Sequence, residues 1–485
     1  MKMLFIIVLF CFQNVYAEEK MITVGVNLQE ISIDPFTDGN FQQTTISDLI
    51  FEPLVYIDEN LNTVGTLVDG WEINTDADKY KFKLKKGIKF HDGRPFSAED
   101  VVWTFKKHMS ADSKSFHKST LQEILFEKNG NFDESVKALD SHTVEFRLKG
   151  PYPPFLENLS NLYILPKGFN STKPVGCGPF KVTKLNKGDT TLERVPEAGF
   201  AKTNIKAVKF VITQTDEFEQ KLKSKELDLT LQAPLKLAIN PPSGYSVFTS
   251  NFDLVSVVFY FNYRRETYHD PKVRHFIREK LIEARAKDGF LSKFDKAIDH
   301  LIPLGMMPAE YYSVKEIKKT KKPSKVPSKI KILAPNTFFT DTAIAAIKEV
   351  FKLEGVDVEF FLGKGKQLHE PAIKGDFDLA LVPYEGMVRD PDAFMFLITP
   401  TVPIVSFFHL PTENEVKELN KVKFKVDKES RLKDYARILN KIEDDDLIIP
   451  LFGQNMPFLF SNKLTPPTSH VMTLVSLRFF KLKND

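Results

Sequence analysis

Cysteine, long apolar runs and an excess of one charge are all scarce in this 485-residue chain. Its two cysteines are Cys11 and Cys177, and we expect Cys11 to be removed with an N-terminal signal, so no disulfide within the mature chain is predicted. Lysine and arginine number 67 against 64 acids, a balance that gives no reason to expect nucleic acid as a partner. Packing must therefore hold the chain together, and 42% apolar residues with 43 phenylalanines suffice for that.

The N-terminal segment MKMLFIIVLFCFQNVYA has one lysine, an apolar run and a V-x-A ending. This combination predicts a secretory signal peptide over residues 1–17, with a mature chain that starts at Glu18. The apolar run is about half of the roughly 20 residues that span a bilayer, so we expect an exported, soluble protein in the periplasm. A lipoprotein anchored through Cys11 is the alternative, although the preceding residue is the bulky Phe10.

Motifs for catalysis or metal binding are missing from the sequence. The ten histidines occur singly, without an HExxH pattern, paired zinc-binding cysteines or a calcium loop. No GxSxG elbow, phosphate loop or dinucleotide fingerprint is present, and Cys177 lies between glycines rather than after a base. The acidic run 443–446 could bind a cation, but we interpret it as a solvated helix end. We therefore predict no enzyme, no cofactor and no metal site.

Residue periodicity predicts strands and helices in alternation. Apolar residues alternate with lysines over 80–84 and with polar residues over 144–148, which indicates two strands of one small antiparallel sheet. Ser97 is the predicted N-cap of a helix between them. Farther along, we predict strands over 207–212, 254–261, 330–333, 356–361 and 377–382 and helices over 271–287 and 342–353. This order indicates an α/β protein.

Six sequence blocks in a fixed order carry a family resemblance. They are DLIFEPLVYIDENLNTVGTLVDGWEI, KYKFKLKKGIKFHDGRPFSAEDVVWTF, PVGCGPF, KELDLTL, FNYRRETYHDPKVRHFI and DFDLALVPYEGMVRDPDAF. With them the chain resembles the extracytoplasmic solute-binding proteins of peptide-type and nickel-type ABC importers, known as family 5. The resemblance implies an α/β, bilobed periplasmic-binding-protein fold of type II, with an extra small domain and a ligand cleft between the lobes.

The resemblance also implies where the domains lie. Lobe I is expected to be discontinuous, with residues 18–45, 164–249 and 451–485. An extra small α+β domain is expected over 46–163, and lobe II over 250–450. In the resembled family the turn at His91-Asp92-Gly93 is part of the scaffold and not an active site.

The function that the resemblance implies is capture of a peptide or peptide-like small solute by closure of two lobes. The solute would then pass to an ABC permease in the inner membrane. Such a carrier needs a concave site and hinge strands instead of a nucleophile. We expect a monomer with no nucleic-acid partner. The alternatives that keep the fold are a sensor, or a carrier of a sugar, an opine, a metal chelate or haem; an exported hydrolase is the alternative from a different class.

The expected ligand contacts follow from the same resemblance. Peptide carriers of the family place an aspartate after the DFDL-like strand, where it neutralises the α-amino group of the ligand. An ungapped register places Met387 at that aspartate, so the amine anchor is missing. Either Glu385 supplies the charge, or the ligand has no free α-amine there, or the register slips and Asp390 is the anchor. We predict weak binding of unblocked di- and tripeptides. The candidate cleft residues are Asn27, Cys177, Asn262, Tyr384, Glu385, Met387, Arg389 and Asp390.

Cys177 has a more specific expected place. It lies in the VGCGPF block, where the resembled family usually has threonine between the glycines. We therefore expect it to fill a small packing position in a glycine-bracketed turn beside the cleft.

Overall fold

Contacts within the computed structural model divide the chain into two units. Unit 1 is Met1–Thr249 with Pro457–Asp485, and unit 2 is Ser250–Met456. The predicted signal peptide over residues 1–17 lies outside the described residues. The structure describes residues 20–37, 41–58, 62–115, 117–129, 131–231, 234–249, 255–302, 306–313, 319–335, 338–363, 366–385, 390–392, 413–467 and 476–483.

The strands of unit 1 come from both of its chain segments. The first segment contains β1 (Met21–Val26), β2 (Glu52–Pro53), β3 (Val55–Ile57), β4 (Thr63–Gly65), β5 (Val68–Ile73), β6 (Lys79–Leu84), β7 (Val136–Asp140), β8 (Thr143–Arg147), β9 (Tyr163–Ile164), β10 (Phe180–Leu185), β11 (Asp189–Arg194), β12 (Ala207–Ile212), β13 (Leu229–Thr230) and β14 (Tyr245–Thr249). The second contains β21 (Pro457–Ser461), β22 (Leu464–Thr465) and β23 (Lys481–Leu482).

A seven-stranded sheet in the order β10-β11-β12-β1-β13-β21-β14 forms the centre of unit 1. β1 runs parallel to β12 and β13, whereas β21 runs antiparallel to β13 and β14. The helices of the unit are α1 (Phe41–Ile50), α2 (Ala98–Met109), α3 (Lys118–Ile124), α4 (Phe155–Leu159), α5 (Phe218–Lys223) and α6 (Leu235–Ile239).

A second sheet in unit 1 has the order β5-β6-β8-β7 and is antiparallel. β6 and β8 are the two strands predicted from the alternation of apolar and polar residues. In β6, Tyr80 and Phe82 are buried while the lysines beside them remain more exposed. α2 begins after Ser97, as predicted, and the backbone N–H of Ser97 donates to the Asp100 carboxylate (2.9 Å). This sheet lies within the expected range 46–163, and its standing as a separate domain remains a prediction.

Unit 2 is a six-stranded mixed sheet in the order β16-β20-β15-β19-β17-β18. β17 is parallel to β18 and β19, and β15 is antiparallel to both β19 and β20. The strands are β15 (Val255–Phe261), β16 (Asp295–Ala297), β17 (Lys329–Pro335), β18 (Asp357–Gly363), β19 (Leu379–Glu385) and β20 (Ile448–Gln454). The helices are α7 (Pro271–Arg285), α8 (Asp341–Leu353), α9 (Lys366–Lys374), α10 (Glu413–Lys423) and α11 (Lys428–Asp444).

Burial explains the strand sequences of unit 2. All seven residues of β15 and of β20 are buried, as expected for central strands covered on both faces. α11 presents Leu432, Tyr435 and Leu439 to the core on one face of the sheet. α7 starts at Pro271, and the preceding Asp270 caps it by accepting the N–H of Lys272 (3.0 Å).

One expected domain boundary differs from the division of the chain into two units. We expected lobe II to end at residue 450, but unit 2 extends to Met456. The reason is that β20 pairs with β15 along its length, as far as Gln454 opposite Val255. Apolar strand residues alone could not show to which of two sheets this strand belongs.

Candidate ligand-binding site

The carboxyl ends of the parallel strands form a defined edge in each unit. In unit 1 this edge is marked by Val26 of β1 and Ile212 of β12, which are paired in register. In unit 2 it is marked by Pro335 of β17 and Gly363 of β18, which are also paired. Ligands of open α/β sheets bind outside such edges, so each unit offers one candidate surface.

The chain passes between the two units twice, and the strand ends that flank both connections lie on these same edges. In unit 1, Thr249 at the end of β14 is paired with Pro457 at the start of β21. In unit 2, Val255 at the start of β15 is paired with Gln454 at the end of β20. Within each unit, therefore, the crossing segments and the carboxyl ends of the parallel strands lie on one side of the sheet.

Asn27 lies on the edge of unit 1, one residue after β1. Its backbone N–H donates to the side-chain carbonyl of Gln42 (2.7 Å), and its amide nitrogen lies 3.4 Å from the Thr215 hydroxyl. Gln42 is fully buried near the start of α1. This part of the edge is polar and, in the contacts described, uncharged.

Tyr384 and Glu385 end β19 at the edge of unit 2. Tyr384 is buried in the core with Val258, Tyr260 and Tyr435, and Glu385 is paired through its backbone with Val255. Two further candidates, Met387 and Arg389, lie outside the described residues.

Asp390 follows this strand and forms a buried ion pair. Its two carboxylate oxygens accept from the two terminal nitrogens of Arg431, at 2.7 and 2.6 Å. Nearby in sequence, Asp392 accepts a hydrogen bond from the Tyr435 hydroxyl (2.7 Å). The Asp390 charge is thus already balanced within unit 2, which makes it a poor anchor for a ligand amine.

The sequence and the fold both resemble a known family. Residues 62–277 match bacterial extracellular solute-binding proteins, family 5 middle. A periplasmic binding protein from Helicobacter pylori, solved in complex with the peptide STSA, superposes with a TM-score of 0.80 at 19% identity, over 96% of this chain and 98% of that chain. The chain carries the fold of the family 5 solute-binding proteins.

Curated relatives of the same kind match the sequence. The oligopeptide-binding protein AppA of Bacillus subtilis is 32% identical over 160 residues, which cover 30% of this chain and 28% of AppA. The Probable D,D-dipeptide-binding periplasmic protein DdpA of Escherichia coli is 24% identical over 476 residues, 90% of this chain and 89% of the relative. Relatives above 30% identity are thus matched over only about a quarter of their length. The resemblance and the α/β fold predicted from the sequence are confirmed.

Asn262 lies at a different edge of the sheet in unit 2 from Tyr384 and Glu385. It directly follows β15, and because β15 is antiparallel to β19, it lies beside Leu379 at the opposite edge from Glu385. Its amide group donates to the carbonyls of Gly375 (3.0 Å) and Phe377 (2.9 Å). Asn262 thus joins β15 to the segment that enters β19, and a role for it in ligand binding stays a prediction.

Cys177 also lies away from the carboxyl edge of unit 1. Gly178 donates its N–H to the carbonyl of Ile50 at the C-terminal end of α1 (2.8 Å), whereas Asn27 contacts Gln42 near the other end of this helix. A ten-residue helix is about 15 Å long, so the turn that contains Cys177 lies far from the carboxyl edge of β1. Burial raises the pKa of the Cys177 thiol, which opposes any role as a nucleophile.

The turn that contains Cys177 packs on His91 on one side and on the backbone of Ile50 on the other, and Ile50 is the reason that it requires two glycines. The backbone N–H of His91 donates to the Gly176 carbonyl (2.8 Å), and the ring nitrogen Nε2 lies 2.9 Å from the Gly178 carbonyl. A Cβ at Gly176 or Gly178 would lie within 3 Å of the backbone of Ile50. The His91-Asp92-Gly93 turn therefore packs on the VGCGPF turn, which supports the scaffold interpretation.

Sequence reasoning missed Arg431, Asp295 and Gln454. Arg431 had a usable signal, because it lies on the apolar face of an amphipathic helix, where an arginine needs a buried acid. Asp295 and Gln454 had none, since their contact depends on the register between β16 and β20.

Within the described ranges, no helix combines the length and apolar character needed to cross a membrane. Among the same residues, no three or more His, Cys, Asp or Glu side chains group as a possible metal site.

Proposed function

We propose that this protein is the extracytoplasmic solute-binding component of an ABC import system. It captures a peptide or peptide-like small solute by closure of two lobes and delivers it to a permease in the inner membrane. The observation that carries this proposal is the family 5 fold over nearly the whole chain, together with the match over residues 62–277. The protein acts in the periplasm as a monomer without catalysis.

The contacts described above support a carrier rather than an enzyme. The Cys177 thiol is buried and its pKa is raised. His91 is engaged with the VGCGPF turn. Asp390 is paired with Arg431. Each of these potentially reactive side chains thus has a structural partner instead of a substrate-facing position.

Ligand-linked unfolding tests the carrier function. A solute that binds the folded chain and not the unfolded one, supplied at about a hundred times its dissociation constant, should add roughly 2.7 kcal/mol to the free energy of unfolding. Thermal unfolding of the mature protein against peptides, amino acids, opines and sugars would detect this as a higher melting temperature. The same compounds should yield no product after prolonged incubation.

The expected range of ligands is narrower because Met387 aligns with the aspartate that neutralises the ligand amine in the resembled family. Met387 carries no charge, and a buried ammonium group without a carboxylate costs several kcal/mol. Unblocked tripeptides should therefore bind more weakly than N-acetylated tripeptides of the same sequence in calorimetric titrations. Submicromolar binding of plain tripeptides that survives both Glu385→Gln and Asp390→Asn would contradict this expectation.

Export is tested separately. Mass spectrometry of the protein recovered from the periplasm should give a mature N-terminus at Glu18. An acylated Cys11 would instead show a lipoprotein.

A further inference from the structure

At the carboxyl edge of unit 2, four residues on neighbouring strands are paired in one row across the sheet. The register pairs Glu385 of β19 with Val255, Val255 with Gln454, and Gln454 with Asp295 of β16. Neighbouring strands are about 4.8 Å apart, so the three steps from β19 to Asp295 cover about 14 Å. Asp295 therefore lies on the carboxyl edge that forms the candidate ligand surface of unit 2, at a distance from the end of β19.

Asp295 is a partly buried carboxylate that receives hydrogen bonds from neutral donors. The amide of Gln454 donates to Oδ1 (2.7 Å), and the backbone N–H of Ser292 donates to Oδ2 (2.7 Å). Burial raises the pKa of Asp295, while the hydrogen bonds from Gln454 and Ser292 lower it, and no charged group among the described residues contributes. The carboxylate is thus held in a fixed orientation without a cation beside it in the described structure.

Fully buried carboxylates in the described part of unit 2 show a different pattern, because each has a basic partner. The pairs are Glu279–Lys280, Asp378–Arg265, Asp390–Arg431, Glu443–His300 and Asp446–Arg278. Removing a carboxylate from water is costly unless a cation or strong hydrogen bonds compensate it. Asp295 differs because it has no basic partner among the described residues. It lies on the carboxyl edge of unit 2, where a solute could supply the cation.

We propose that Asp295 binds a cationic amino or guanidino group of the solute. This inference rests on the proposed function and specifies its ligand class. The Asp295 carboxylate accepts a charge-assisted hydrogen bond from the solute, and Gln454 positions it. Since Asp295 is about 14 Å from the end of β19, the cation is on a side chain or remote end of the solute, away from the end of β19.

Matched blocked peptides test the proposal in calorimetric titrations of the full mature chain. The probes are N-acetyl-Ala-Lys-Ala with its norleucine counterpart, and N-acetyl-Ala-Arg-Ala with its citrulline counterpart, so each pair differs chiefly in one charge. The wild type should bind at least one cationic probe about tenfold or more tightly than its neutral partner. Asp295→Asn keeps an acceptor for Gln454 and removes the charge, so it should abolish this preference and leave the neutral probes unaffected.

Asp288→Asn is the matched control, because Asp288 is an exposed carboxylate seven residues earlier on the same connection. It should retain the full preference for cationic probes. If Asp295→Asn weakens both members of a pair equally and lowers the unfolding temperature, its role is structural and the proposal is wrong. A wild type that binds neutral or anionic probes without preferring a cationic one overturns this inference while solute carriage stands. Absence of any ligand in the broad panel overturns both.

Discussion

Two buried arginines, one in each unit, differ in how completely their N–H groups are used. In unit 1, Arg478 donates from Nε to Asp48 (3.1 Å), from Nη1 to Glu52 (2.6 Å) and the Phe200 carbonyl (3.1 Å), and from Nη2 to the carbonyls of Phe51 (2.8 Å) and Asp48. All five of its N–H groups have partners, and both carboxylates are buried.

Among the described residues, Arg431 in unit 2 binds a single carboxylate. Its two terminal nitrogens bind the two oxygens of Asp390, and its Nε is buried without a hydrogen-bond partner in the described structure. The Arg478 cluster therefore joins several distant segments, whereas the Arg431 pair joins one helix to the residues that follow β19. We infer that the first arginine is part of the scaffold and that the second serves the local conformation near the carboxyl edge of unit 2.

Removing Arg478 should have the largest effect on stability. Arg478→Met leaves Asp48 and Glu52 buried without a cation, so the free energy of unfolding should fall by about 3–5 kcal/mol. Urea unfolding measures this difference. Arg437→Met is the control, because Arg437 is 60% exposed in its ion pairs and its loss should cost less than about 1 kcal/mol. Equal effects of the two substitutions would remove the distinction between a structural cluster and a surface pair.

A double substitution sharpens the contrast with Arg431. Arg431→Met alone should cost about 3 kcal/mol, and adding Asp390→Leu should recover most of it, because a simple buried pair can be replaced by apolar side chains. The corresponding double change in unit 1, Arg478→Met with Asp48→Leu, should recover little, since Glu52 and the carbonyls remain unpaired. Urea unfolding of the four variants decides between these outcomes, and similar recovery in both units would contradict the comparison.

Glu52 should make the stability of unit 1 depend on pH. Burial raises its pKa to about 7, against the lowering effect of Arg478, whereas the unfolded value is near 4.5. The folded chain therefore retains a proton that the unfolded chain releases between these values, and stability falls as pH rises from 4.5 to 7. The loss should be at most about 3 kcal/mol. Urea unfolding at pH 5 and pH 8 should show a smaller decrease for Glu52→Gln than for the wild type.

Cys177→Thr should have the smallest effect. Cys177 is buried, and the backbone of the nearby Glu52 lowers the pKa of its thiol against the larger effect of burial; a threonine hydroxyl can also accept from a backbone N–H. We expect a change in unfolding free energy of less than about 1.5 kcal/mol and solute affinity within a few-fold of the wild type. Complete loss of binding with an intact melting transition would show that Cys177 acts in recognition after all.

Much of the secondary structure was predictable because each element repeats its burial pattern locally. Alternating lysines defined β6, Ser97 marked the start of α2, and Pro271 marked the start of α7. The candidate site was less predictable. Asn262 and Cys177 follow convincing strand or turn signals, but local periodicity does not show which end of a sheet or helix a residue will occupy.

Residues close together along the chain were enough to predict the elements and the glycine-bracketed turn, and six blocks in a fixed order were enough to predict the family resemblance. The tertiary structure alone decided that Arg478 would meet Asp48, that Arg431 would meet Asp390, and that Asp295 would lie beside Gln454. Partners in these contacts are separated by 41 to 430 residues. Strand order and register bring them together, and those depend on how whole elements pack rather than on any local pattern of residues.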